Sequence, residues 1–161
     1  REQAMQAVSY YREYYEEKGM FENEVYPGIK ELLRVLTKQG VLCLVATSKP
    51  EIYAKKILDY YELSNYFYYI AGANMDGTRT DKAEVIAYAL KQIPAEYNNK
   101  KVLMVGDRSH DIIGAKKNGI DCAGVLFGYG SREELEEAGA DFVADSVEAV
   151  KNIVFSDIAR N

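Results

Sequence analysis

Three short polar clusters stand where an apolar run gives way to a helical pattern. The first is Ala46-Thr47-Ser48-Lys49-Pro50, which puts two adjacent hydroxyls and several backbone amides at the end of a strand. Free N–H groups at a helix start form a natural phosphate cradle. The same residues also read as an N-cap with Pro50 opening the helix. The second is Thr80-Asp81-Lys82, where Lys82 falls in the first turn of a helix. The macrodipole disfavours a cation there, so the ammonium either binds a phosphate and offsets carboxylates around it or stays solvated at the surface. The third is Gly106-Asp107-Arg108-Ser109-His110-Asp111, following the apolar run Val102-Leu103-Met104-Val105. Two carboxylates four residues apart at a strand-to-helix junction suit a hard cation such as magnesium, or else cap the helix. His110 is the only histidine and reads as a spacer or peripheral contact.

The pattern around these clusters alternates. Residues 1 to 19 predict a helix with Ala4, Val8, Tyr11 and Tyr15 on one face and Gly19 as its stop. Tyr10, Tyr11, Tyr14 and Tyr15 would cover much of its circumference, which implies packing against something upstream of Arg1. Tyr26-Pro27-Gly28 breaks the chain, and Ile29, Leu32, Leu33 and Leu36 mark the next helix. Buried strands are expected at 41–46, 67–71, 102–105, 123–126 and 142–143, with helices at 51–60, 81–92, 109–118, 131 onward and 146–155. Ser131 with Glu134 three residues later is a capping-box pattern. Such alternation predicts an α/β fold: a Rossmann-like parallel sheet with helices on both faces, its ligands at the carboxyl ends of the strands. All three polar clusters then fall on one rim.

As a set, the clusters resemble the haloacid dehalogenase superfamily. The Thr47 loop is similar to its second motif, Lys82 to its third, and Gly106-Asp107-x-x-x-Asp111 to its fourth. Val25-Tyr26-Pro27-Gly28, Gly114-Ala115-Lys116-Lys117-Asn118-Gly119-Ile120 and Gly128-Tyr129-Gly130 resemble the phosphoglycolate-phosphatase branch. The resemblance implies a magnesium-dependent phosphatase acting on a small phosphomonoester, phosphoglycolate or a nucleoside monophosphate. Thr47 and Ser48 would then bind phosphate oxygens, Lys82 would hold phosphate and nucleophile together, and Asp107 would bind Mg2+. Asp111 would support the metal through water or pair with Lys82. The family's first motif, Asp-x-Asp-Gly-Thr, carries the nucleophile and has no counterpart here. Met75-Asp76-Gly77-Thr78 looks like its tail, but no apolar strand precedes it and position 74 is Asn, so it reads as a turn. The expected division is 1–24 as the end of a helical cap and 25–161 as a core lacking its first strand. A segment upstream of Arg1 is expected to complete the sheet.

Composition narrows the alternatives. The 161 residues carry a net charge of −5, which argues against a general affinity for nucleic acid. No run approaches the roughly 20 apolar residues of a membrane span, and no signal peptide is visible, so a cytoplasmic location is expected. Cys43 and Cys122 lie in apolar runs and read as small buried hydrophobes. Two readings compete with the phosphatase: a phosphosugar mutase of the same superfamily, and a non-catalytic interaction module.

Overall fold

The computed structural model describes residues 2–158. Helix α1 (Glu2–Glu17) ends at a short turn of 3-10 helix, and Gly28, at φ 87°, opens α2 (Ile29–Lys38). Strands and helices then alternate: β1 (Leu44–Pro50), α3 (Glu51–Tyr60), β2 (Tyr69–Ala73), α4 (Lys82–Leu90), β3 (Leu103–Gly106), α5 (Ser109–Lys117), β4 (Asp121–Val125), α6 (Arg132–Glu137), β5 (Phe142–Ala144) and α7 (Val147–Ile158). Each expected element is present, with shifted ends. The largest shift is in β1, expected at 41–46. The Val41 amide is used to close the end of α2 on Leu36 O, and pairing with β2 begins only at Leu44↔Tyr69. Val41 and Cys43 still pack into the core, and Cys43 O accepts the Tyr68 amide at 2.8 Å just ahead of the ladder.

All strand pairs are parallel, but they fall into two sheets. One is β1-β2; the other has the order β3-β4-β5. Helices cover both faces, as strand parity requires. Leu103 packs with Leu36, Val150 and Val154 of α2 and α7, while its neighbour Met104 packs with Ile112 and Ala115 of α5. Helix α4 lies against β1 and β2 and also against α5, so it ties the two sheets together. Both cysteines are free, Cys122 buried and Cys43 half-buried. No helix among the described residues is long and apolar enough to cross a membrane.

Burial differs sharply between neighbouring strands. In a covered parallel sheet the central strands are the most buried. Here β2 and β4 are almost wholly buried, whereas β1 and β3 are half-buried and Val105 is 40% exposed. Strands β1 and β3 each pair along one edge only among the described residues, leaving the other edge without ladder partners. Aromatic exposure follows the same logic in α1, where Tyr10, Tyr11 and Tyr14 are exposed.

Leu135 is fully buried under β4 in the cluster with Ile112 and Cys122. Leu135→Ala should lower stability by about 2–5 kcal/mol, read as a fall in the urea midpoint at unchanged slope.

Candidate active site

The three polar clusters meet at the carboxyl ends of β1 and β3. Asp81 caps α4 by accepting the Ala83 amide at 2.9 Å, which places Lys82 at the first helical position. From there the Lys82 ammonium donates to Ala46 O of β1 at 3.1 Å and lies 2.9 Å from Asp111 Oδ1 at the start of α5. The pair is well shielded, with side-chain exposures of 11% and 6%. Asp111 Oδ2 accepts the amides of Asp107 and Arg108, each at 3.1 Å. A Cβ on Gly106 would stand 2.3 Å from Asp111 Cβ, so this close turn admits only glycine. One chain of contacts thus runs from β1, next to Thr47, through Lys82 and Asp111 to Asp107.

Thr47 is half-buried, and its Oγ1 accepts the Lys49 amide at 3.2 Å; Ser48 beside it is exposed. Asp107 is half-buried at the end of β3. Its Oδ2 accepts the Tyr129 amide at 2.8 Å, and Oδ1 takes no hydrogen bond among the described residues. An oxygen left bare at a strand end fits a hard cation. Asp111 fits direct coordination poorly, because protein donors already engage both of its oxygens. Among the described residues no three His, Cys, Asp or Glu side chains form a metal-ligating group. A magnesium ion here would therefore be held by Asp107 with water, substrate or further chain completing the set. His110 is peripheral: it is 56% exposed, and its Nε2 stands 3.8 Å from Asp111 Oδ1.

The segment leading to Lys82 is braced. Arg79, at φ 51°, donates to Gly72 O at 2.9 Å, lies 3.4 Å from Glu51 Oε2, and stacks 3.7 Å from the Tyr88 ring centroid. Tyr88 shares a 2.8 Å hydrogen bond with Tyr69, whose phenol is pushed up to about 12 by that bond and by burial. Met75–Thr78 is a turn: Asp76 Oδ1 accepts both the amide and the hydroxyl of Thr78, which hold its carboxyl below the usual range. Above β1, Lys49 Nζ lies 3.2 Å from the Tyr15 hydroxyl, and Tyr15 packs edge-on against Tyr53, seating α1 over the β1–α3 junction.

The sequence pattern did not disclose the part taken by Glu134. Ser131 Oγ accepts the Glu134 amide at 3.1 Å, so half of the expected capping box forms. The other half does not. The Glu134 carboxylate turns to the Ser109 amide at 2.8 Å and Arg108 Nε at 3.0 Å, and these donors hold its carboxyl below the usual range. Glu51 and Arg79 were likewise unmarked in the sequence.

The sequence model described as haloacid dehalogenase-like hydrolase matches residues 1–125. A 5'-nucleotidase of Pseudomonas aeruginosa is 43% identical over 134 residues, 82% of this chain and 59% of that protein. The tyrosine-protein kinase PtkA of Mycobacterium tuberculosis is 40% identical over 143 residues, 88% of this chain and 48% of that one. The chain thus spans about half the length of these relatives. A Clostridium difficile crystal structure, assigned as a phosphatase, superposes with a TM-score of 0.88 at 51% identity, covering 95% of this chain and 71% of the other. A haloacid dehalogenase-like hydrolase from Streptococcus pneumoniae does so at 0.81 and 26% identity, covering 97% and 71%. With the motif residues gathered on one rim and the family model matched over residues 1–125, this chain belongs to the haloacid dehalogenase-like hydrolases.

Proposed function

We propose that the chain is the greater part of a magnesium-dependent phosphomonoesterase whose nucleophilic aspartate arrives on a strand from outside these 161 residues. The carrying observation is the Lys82 ammonium, held between Ala46 O, the residue before Thr47, and Asp111 Oδ1, whose other oxygen takes the Asp107 amide. Phosphoryl transfer asks mainly for positioning and charge neutralisation. Thr47 and Ser48 offer a hydroxyl and amide cradle, Lys82 an ammonium, and Asp107 Oδ1 a site for the cation, which would neutralise the equatorial phosphate oxygens. Asp111 serves by orienting Lys82 and the Asp107 backbone. A carboxylate oxygen from the incoming strand attacks phosphorus and the ester P–O bond breaks, while the second aspartate of the Asp-x-Asp motif on that strand gives the leaving alcohol its proton. Water then cleaves the acyl phosphate to release inorganic phosphate.

The bare edges of β1 and β3 support an added parallel strand between them, and the exposed tyrosines of α1 support residues 1–24 as the end of a cap. Among substrates, a nucleoside monophosphate draws support from the relative named 5'-nucleotidase, and phosphoglycolate from more distant relatives so named.

The full-length protein should release phosphate from p-nitrophenyl phosphate only with Mg2+. Asp107→Ala should cut turnover by about a hundred-fold or more, and activity persisting in that variant or in a chelator would refute the proposal. Lys82→Met should abolish turnover and also destabilise the fold by about 3–5 kcal/mol, because it strands a shielded carboxylate. Denaturation midpoints check the second effect, and an unchanged midpoint would mean that the pair does not hold in solution.

A further inference from the structure

We propose that Glu134 is a positioning residue for the cation-binding oxygen of Asp107, which rests on the magnesium-phosphatase reading above. Four contacts fix Asp107 and the residue after it. Asp111 Oδ2 takes the amides of Asp107 and Arg108 from the side of α5. From the opposite side the Gly130 amide donates to Asp107 O at 2.8 Å, and the Tyr129 amide donates to Asp107 Oδ2 at 2.8 Å. That last bond decides which carboxylate oxygen stays free.

The β4–α6 connection presses hard on this aspartate. A Cβ at Gly128 would lie 2.3 Å from Asp107 Cβ, and one at Gly130 would lie 2.2 Å from Asp107 O. Such close approach needs something to hold the connection against the metal loop. Glu134 is the clamp. It stands in the first turn of α6, three residues after Ser131, and its Oε1 reaches out of its own helix to Ser109 N and Arg108 Nε. The sequence Ser131-x-x-Glu134 therefore does more than cap a six-residue helix. It joins the start of α6 to the start of α5, with Tyr129, Gly130 and Asp107 caught between. A carboxylate that carries a hard cation must be held to within about half an ångström, and outer partners of metal ligands are worth about 10–100-fold in metal affinity.

The test uses the full-length protein and direct Mn2+ binding, read by the loss of the free Mn2+ paramagnetic resonance signal. Glu134→Ala should raise the Mn2+ Kd by about ten-fold or more, with the KM for p-nitrophenyl phosphate unchanged at saturating metal. Glu134→Asp keeps the charge but withdraws the oxygen by one carbon, and should weaken binding nearly as much. Glu134→Gln keeps an acceptor within reach of Ser109 N and should bind Mn2+ close to wild type. Wild-type affinity in folded Glu134→Ala or Glu134→Asp would overturn the proposal. So would a Glu134→Gln protein as impaired as Glu134→Ala, since charge and not reach would then matter. The Gln and Asp variants carry the test if the Ala variant fails to fold. A wild type that binds Mn2+ yet hydrolyses no phosphate ester would instead refute the phosphatase reading while leaving the clamp measurable.

Discussion

The shielded pair between Lys82 and Asp111 is the constraint around which the rest is arranged. Two charges at 11% and 6% side-chain exposure lose most of their hydration, and a 2.9 Å contact regains it only if the remaining donors and acceptors are satisfied. They are satisfied. The ammonium also reaches Ala46 O, and the second carboxylate oxygen takes two backbone amides. These partners belong to β1, to α4 and to the β3–α5 turn, so the pair fixes three elements relative to one another. Replacing such a pair by apolar side chains is often neutral for stability, so its value lies in placement: it brings the Thr47 end of one sheet against the Asp107 end of the other.

That placement accounts for features otherwise hard to reconcile. Val105 of the apolar edge strand β3 is 40% exposed, while its partner β4, paired along both edges, and β2 are buried. The two sheets are held together chiefly through the α4–α5 contact and the α2–α7 layer, not by a ladder between β1 and β3. The polar rim is therefore assembled by helices and loops. It needs braces of its own: Glu51 and Arg79 on the Lys82 side, Glu134 on the Asp107 side.

Much of this was legible in the sequence because it follows local rules. The order of elements, the Asp81 cap and the turn at Asp76 rest on periodicity and short-range hydrogen bonding. The motif set pointed to one rim because carboxyl ends of parallel strands share an edge. Long-range choices were not legible. Val41 and Cys43 look like strand, but Val41 closes α2 instead. Asp111 was open between supporting a metal through water and pairing with Lys82; the Lys82 pair forms, and its other oxygen is taken by two amides of the turn just before it. Glu134 fits a capping box, and nothing local tells a carboxylate turning back on its own helix from one reaching 25 residues away. In each case a short-range pattern was satisfied only in part, and the part left over was used by a distant element.

Charge explains why those leftover contacts gather around Asp107. Lys82 and Asp111 cancel, so the ammonium brings the rim no net positive charge. Within the Lys82–Asp111–Asp107 chain of contacts Asp107 is then the uncompensated charge, and a nucleophilic carboxylate would add another. A phosphomonoester brings up to two more near neutral pH. At a few ångströms, in surroundings less polar than water, each uncompensated like-charge contact costs several kcal/mol. Amide donors around Thr47 soften this but cannot reverse it. A divalent cation would, and among the described residues Asp107 Oδ1 is a strand-end oxygen that takes no hydrogen bond. The bond from the Tyr129 amide, the fit of Gly128 and Gly130 against Asp107, and the reach of Glu134 across to Ser109 all act on the position of that atom. Rigidity is built where the charge imbalance is greatest.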